Sequence, residues 1–345
     1  LTSDRRRPTP EVRGPIFVSD IFAHTELQAA PVFDAANERT RPNLKVQDGC
    51  DNRCSFCVIP SVRGQSRSLP LAEVIREVEA LVGAGYREVV ISGINLGRWG
   101  RDLDVTSQAS SLPGKTGQRP GFEDLIRAIL SETTLQKLRI SSVEPMDWSD
   151  ELIDLMATSS RIAKHAHVPL QSGSDAVLRR MHRKYRPWHY REKVEKIRAA
   201  MPTAAIGADV MAGFPGESDA EFTETCRLVE DLPLTYLHVF TYSARPGTPA
   251  AAMGKQVPVH AARERNRILR DLASRKKLAF MNGFAGQRID AITLNVSGKG
   301  PAGEYTEGLT DNYLPIRVPG SHAANRWIQT RVERVSDGAL LGIAG

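Results

Sequence analysis

Cysteine is scarce in this chain of 345 residues: there are four, and none precedes Cys50. Four thiols in so long a chain do not make a disulfide framework. With nothing pointing to secretion, the cytoplasm is the expected compartment. No apolar run approaches the roughly 20 residues that a bilayer-crossing helix requires. The opening Leu-Thr-Ser-Asp-Arg-Arg-Arg-Pro has no apolar stretch behind its basic residues, so no secretory signal is expected there. Net charge is missing from the front of the chain as well. Of 46 Lys+Arg and 40 Asp+Glu, 14 and 8 lie from Lys255 onward, so the whole excess of +6 falls beyond Gly254. A neutral front and a basic back suggest that the back meets a polyanion; the plainer alternative is a solvated helix face.

Three of the four cysteines stand together as Cys50-Asp-Asn-Arg-Cys54-Ser-Phe-Cys57, directly after the apolar run Leu44-Lys-Val-Gln. This loop is one ligand short of a closed zinc or iron–sulfur site, so a coordination position is left open. A structural zinc site with a distant fourth ligand is the competing reading, although the nearest upstream histidine, His24, lies outside the usual paired spacing. The C-x3-C-x2-C loop resembles the radical S-adenosylmethionine (radical SAM) superfamily. The resemblance implies that Cys50, Cys54 and Cys57 hold a 4Fe-4S cluster whose fourth iron takes the amino and carboxylate groups of SAM.

Apolar, β-branched runs recur at 44–47, 88–92, 137–141, 165–169, 205–210 and 236–240. Helix-period stretches lie between them, such as Leu71 to Val82 with Val74, Ile75, Val78 and Leu81 on one face. Strands alternating with helices predict an α/β fold, here a partial (β/α)6 TIM-like barrel with its site at the C-terminal strand ends. Residues 101–120, rich in Ser, Gly, Gln and Pro, read as a flexible surface insertion. A basic helix is expected from Arg263 to about Phe280, and the short alternating strands after Gly286 predict a small all-β barrel.

Each strand end offers candidate residues. Gly93, in Ser92-Gly-Ile-Asn-Leu-Gly, stands where radical SAM enzymes bring bare backbone to the methionine amino group. Ser142 and Glu144 are candidates to hydrogen-bond a ribose or an ammonium, with a helix cap before Pro145 the alternative. Gln171 is a candidate for the methionine end of SAM, and Ser174 for capping the helix that follows. Met181-His-Arg-Lys-Tyr puts cations and an aromatic beside the pocket. Asp209, Phe214 and Phe56 are candidates for the adenosine pocket, with core packing the alternative for the two rings. Cys226 shares a helical face with Phe222 and Val229 and reads as a core cysteine.

Gln47-Asp-Gly before the cysteines and Val58-Ile-Pro-Ser-Val-Arg-Gly after them are similar to the radical SAM methylthiotransferases. So are Pro169-Leu-Gln-Ser-Gly-Ser, Gly213-Phe-Pro-Gly-Glu and Tyr242-Ser-Ala-Arg-Pro-Gly-Thr. Lys45-Val-Gln-Asp-Gly-Cys, Ser92-Gly-Ile-Asn-Leu-Gly, Ser142-Val-Glu-Pro and Gly308-Leu-Thr-Asp-Asn-Tyr most resemble the branch acting on N6-threonylcarbamoyladenosine of tRNA. The resemblance implies a radical SAM core over 41–284 and a TRAM domain over 285–345. It also implies tRNA as partner, through the basic helix and the TRAM domain, and an electron donor such as a flavodoxin or ferredoxin. The family carries a second, three-cysteine cluster in an N-terminal domain. With no cysteine before Cys50, residues 1–40 are expected to be a remnant of that domain and its linker. The rival substrates are isopentenyladenosine of tRNA and a ribosomal-protein aspartate. A non-catalytic RNA-binding iron–sulfur protein is the rival of another class.

Overall fold

A computed structural model describes Leu27 and residues 40–104, 119–300 and 303–343. Most of the expected insertion and nearly all of 1–40 lie outside the described residues. Six parallel strands form where the apolar runs predict them: β1 (Asn43–Asp48), β3 (Glu88–Gly93), β4 (Lys137–Ile140), β5 (His165–His167), β6 (Ala205–Ala212) and β7 (Tyr236–Thr241). A short β2 (Arg67–Ser68) runs antiparallel to β1. The strands hydrogen-bond as β2-β1-β3-β4 and β5-β6-β7. Single bridges, Leu138 to Ile162 and Ser142 to His167, join β4 to the second sheet. The result is the partial barrel that alternating βα units predict. Its helices lie outside: Leu71–Gly83 buries Leu71, Val74, Ile75, Val78 and Leu81 against the sheet, the i, i+3, i+4 stripe of an amphipathic helix.

The helix Val259–Asn282 begins four residues before the expected start and packs on β6 and β7. Its last turn delivers Met281 into a separate core with Phe284, Ala291, Leu314, Ile316, Val318, Val332 and Leu340. Around that core β8 (Arg288–Gly300), β9 (Gly303–Thr310), β10 (Pro315–Pro319), β11 (Trp327–Ser336) and β12 (Ala339–Ile343) close into a barrel of order β10-β12-β11-β8-β9. Closure removes the exposed edges that so small a sheet would otherwise present.

The basic helix divides its charges. Arg265 is buried and pairs with Glu217 (2.8 Å) and Asp219 (2.7 Å), Arg267 pairs with Glu264 and Asp271, and Lys276 donates to the Glu230 carbonyl. Arg263, Arg270 and Arg275 are exposed, with no ion-pair partner among the described residues. Of the seven cations from Arg263 to Lys277, Arg265, Arg267 and Lys276 therefore stabilise the helix and its seat.

The small barrel docks on the N-terminal ends of the strands. Arg139, buried in the lumen, donates through Nε to Glu88 (2.5 Å) and through its terminal nitrogens to the carbonyls of Asp311 (3.1 Å) and Thr310 (3.3 Å). Tyr313 tilts against His165 with ring centroids 4.6 Å apart, and Lys137 pairs with Asp311 at 2.9 Å. Asn312 donates to the Thr203 carbonyl, and Trp327 Nε1 to Gln136. Among the described residues no helix is long and apolar enough to cross a membrane.

Glu88 is 1% exposed, so Glu88→Ala would leave the buried Arg139 guanidinium without its carboxylate. The expected loss is about 3–5 kcal/mol, the scale for breaking a buried pair from one side. Equilibrium urea unfolding would show it, with Glu88→Gln losing less.

Candidate functional site

The cysteine loop leaves the C-terminal end of β1 through Gly49, which has φ +69° and whose Cβ would come within 1.9 Å of the Gln65 carbonyl oxygen. Only glycine fits there. The Cys50 amide donates to the Gly64 carbonyl, and the Ser55 amide and hydroxyl donate to the carbonyls of Met181 (3.1 Å) and Arg180 (2.7 Å). The loop is thus tied to the chain on both sides. The three cysteines are free and half-buried, and burial pushes the thiols of Cys50 and Cys57 up.

Donors already face the sulfurs. The Asn52 amide lies 3.4 Å from Cys50 Sγ, and Arg183 Nη1 lies 3.1 Å from Cys54 Sγ. Arg183 is buried, hydrogen-bonded to Glu144 and packed on the Tyr185 ring. Burial opposes its charge, but Tyr185, Glu144 and Cys54 together hold its pKa above the ordinary value. Burial also raises the Glu144 carboxyl, with Arg183 working the other way.

Ligands of one tetrahedral zinc at 2.3 Å would lie about 3.8 Å apart. The sulfurs of Cys50, Cys54 and Cys57 are not all within 4.8 Å of one another. Among the described residues, the three-member donor group lying within 4.8 Å of one another is His167, Asp209 and His238. Thiols spread around a glycine-shaped loop, with backbone and guanidinium donors on them, fit a cluster in which each sulfur binds its own iron.

Gly93 ends β3 beside Gln47. A Cβ there would meet Gln47 Oε1 at 2.8 Å and Gln47 Cβ at 2.9 Å. Gln47 Nε2 lies 2.9 Å from the carbonyls of Asp48 and Gly49 and from Ser66 Oγ, while its Oε1 accepts from the Asn95 amide at 2.7 Å. Neither Gln47 nor Asn95 was a sequence candidate; a polar side chain just before the glycine and the first cysteine was the available signal. Phe214 is fully buried between Phe56 (6.4 Å, edge to face) and Tyr242 (5.5 Å), so Phe56 is the more accessible ring. Gln171 has φ +65°, and its backbone bonds to Asp209 and Met211, extending the sheet. Ser174 stands at the N-cap of Asp175–Arg180, but its hydroxyl makes no cap bond and is buried without a partner among the described residues, which corrects the capping role. Cys226 is partly buried against the core, its thiol pushed up to about 11 by burial.

Ser142 and Asp209 face the lumen. Ser142 Oγ meets His167 Nδ1 at 2.5 Å, and Asp209 Oδ1 lies 3.4 Å from His167 Nε2 and 3.3 Å from His238 Nδ1. Burial works against the Asp209 carboxylate, but the two imidazoles prevail and hold its pKa well below the ordinary range. One level nearer the small barrel, His165 Nε2 bonds the Tyr236 hydroxyl at 2.6 Å; Gly207 leaves room for the tyrosine ring. These residues, with Arg41, Arg139 and Tyr313, line a cavity of about 730 Å³. A larger cleft of about 960 Å³, lined by Lys137, Lys164 and Trp327 among others, runs along the seam with the small barrel and includes none of the cysteines.

A partial parallel barrel with an open three-cysteine loop at its C-terminal end defines a radical SAM protein, and the profile described as "Radical SAM superfamily" matches residues 44–229. The chain is 35% identical over 326 residues to "Threonylcarbamoyladenosine tRNA methylthiotransferase MtaB" of Rickettsia prowazekii (strain Madrid E), covering 94% of this chain and 72% of that protein. It is 36% identical over 287 residues to the protein of the same name from Bacillus subtilis (strain 168), covering 83% of this chain and 61% of that one. Over 273 residues it is 38% identical to "tRNA-2-methylthio-N(6)-dimethylallyladenosine synthase" of Frankia casuarinae (strain DSM 45818 / CECT 9043 / HFP020203 / CcI3), covering 79% and 48%. The chain belongs to the methylthiotransferase family of radical SAM proteins, and spans about half to three quarters of the length of these relatives.

Gly93→Ala should push Gln47 out of its seat and loosen the cysteine loop, at about 1–3 kcal/mol, the usual range for overpacking. Iron retained after anaerobic reconstitution should fall in step with the loss in thermal stability.

Proposed function

We propose that this protein is a tRNA methylthiotransferase that converts N6-threonylcarbamoyladenosine at position 37 to its 2-methylthio derivative. The observation that carries this reading is the three-cysteine loop, one ligand short, set at the end of a barrel whose lumen is polar. Cys50, Cys54 and Cys57 would hold a 4Fe-4S cluster, which when bound and reduced supplies the electron that cleaves the carbon–sulfur bond of SAM. Replacing the C2 hydrogen of the base by a methylthio group consumes one SAM in that cleavage and a second as methyl donor, together with a sulfur atom.

The residues of the chain bind and orient. Gly93 offers bare backbone at the methionine end, with Gln47 filling the space a side chain would need. Gln171 is assigned beside it, and Phe56, backed by Phe214, is assigned to the adenine face. Glu144 is assigned first to holding Arg183 on Cys54, and through it to the cluster's charge. Ser142 and Asp209 turn toward the lumen, so the substrate side suits them better than the SAM side. We assign the small barrel as a TRAM module over 285–345 and the core as 41–284, a division supported by the helix end at Asn282 and the start of β8 at Arg288. Arg263, Arg270 and Arg275 are the cations free to meet tRNA phosphates. A flavodoxin or ferredoxin as reductant and a cytoplasmic location go with that substrate.

Reconstituted protein should hold about four irons and four sulfides and, once reduced, convert SAM to 5′-deoxyadenosine. Cys54→Ala should abolish both, whereas Cys226→Ala should leave the iron content intact; the reverse pattern would undo the ligand assignment.

Charge reversal at Arg263, Arg270 and Arg275 together should weaken tRNA binding for all tRNAs alike. On a log–log plot of affinity against salt, the slope should also flatten by about 0.7–0.9 for each phosphate no longer neutralised. Filter binding between low and moderate salt measures both, and an unchanged slope would remove the helix from the RNA interface.

A further inference from the structure

The lumen carries chemistry that the cysteine loop does not use. At the end nearest the small barrel, two guanidinium groups face one carboxylate. Arg139 has its donors committed to Glu88 and to the carbonyls of Thr310 and Asp311. Arg41 is 3.8 Å from Glu88, beyond hydrogen-bonding distance, and 5.8 Å from the centre of the Tyr313 ring. Its side chain is 23% exposed and lines the cavity, so it is the cation left over there.

Nearer the cysteines stands a row of hydrogen-bonding groups. His167 is oriented by Ser142 through Nδ1, and its buried Nε2 lies 3.4 Å from Asp209 Oδ1 without well-formed hydrogen-bond geometry. Asp209 sits between it and His238. In the register Asp209 lies opposite His238 and Gly207 opposite Tyr236. The two levels are therefore two residues apart, about 6.6 Å along the strands. The cavity offers a cation at one end and a carboxylate flanked by imidazoles at the other.

We infer that this cavity reads the N6 substituent of the substrate base, with Arg41 taking the threonine carboxylate and the His167–Asp209–His238 row taking the hydroxyl and carbamoyl groups. The inference rests on the substrate proposed above and assigns its recognition to particular residues. A branched hydrocarbon in the same place would desolvate Arg41 and Asp209 while offering neither a hydrogen bond, leaving Arg41 only the Glu88 carboxylate at 3.8 Å and Asp209 only its two imidazoles. Sites built around such groups reject analogues that lack the matching polar atoms far more strongly than apolar pockets reject an extra group.

The test is a binding series with the cluster-loaded full chain and three anticodon stem-loop RNAs. They carry adenosine, N6-threonylcarbamoyladenosine or N6-isopentenyladenosine at position 37. The wild-type protein should prefer the threonylcarbamoyl RNA over the other two by about tenfold or more, the scale of a charge-assisted bond. In Arg41→Gln and in Asp209→Asn that ratio should collapse toward one, with Arg41→Lys keeping part of it. Thermal melts show whether each variant is folded, and the ratio is read only from those that are. A full preference in folded Arg41→Gln would overturn the inference while leaving the proposed substrate standing. No preference in the wild type itself would sink the substrate reading. A stoichiometric divalent metal beyond the cluster's iron, lost in Asp209→Asn, would make the imidazole pair a metal site and also overturn the inference.

Discussion

The buried carboxamide of Gln47 is the joint on which the site depends. Its nitrogen reaches two carbonyls and a hydroxyl around the start of the cysteine loop, and its oxygen holds the amide of Asn95 beyond β3. A buried amide that finds all its partners specifies one arrangement of the segments it joins, because leaving any of them unpaired is costly. It fixes the ends of two neighbouring strands against each other. It also explains two glycines: Gly49 lets the chain turn against Gln65, and Gly93 leaves the volume that Gln47 occupies.

Charge is used differently at the two ends of the barrel. Beside the cysteines, Arg183 is enclosed by Glu144, Tyr185 and Cys54, a cation preset next to a sulfur. At the other end Arg139, held by Glu88, donates to backbone carbonyls of the small barrel, and Tyr313 packs on His165. The small barrel therefore closes the floor of the lumen as well as standing beside the basic helix. The cavity proposed to read the base and the attachment of the barrel share one wall.

Much of this was legible in the chain. The six strands announce themselves because each is a short apolar run between helices of clear period, and the C-x3-C-x2-C loop carries its chemistry in its spacing. Other details were not. Ser142 and Asp209 face the lumen together with His167, since alternate residues of a strand face opposite sides and only the register tells which. Ser174 stands at the N-cap of its helix without capping it, and Arg265, one of the cations of the expected basic helix, is folded onto Glu217 and Asp219. A helical wheel of the basic segment leaves open which cations meet acids from another helix.

Local order was the sequence's own contribution: strand and helix periods, the turn at Gly49, the open ligand set of three thiols, and the excess of charge beyond Gly254. These follow from spacing along the chain, which the backbone's fixed geometry converts directly into faces and turns. What the tertiary structure alone decided is which distant groups share a space. Residues as far apart as Cys54 and Arg183, or Arg41, Asp209 and Tyr313, meet because barrel closure and the docking of the small barrel bring them together. Such meetings depend on how whole elements pack, and no local pattern in the chain encodes them.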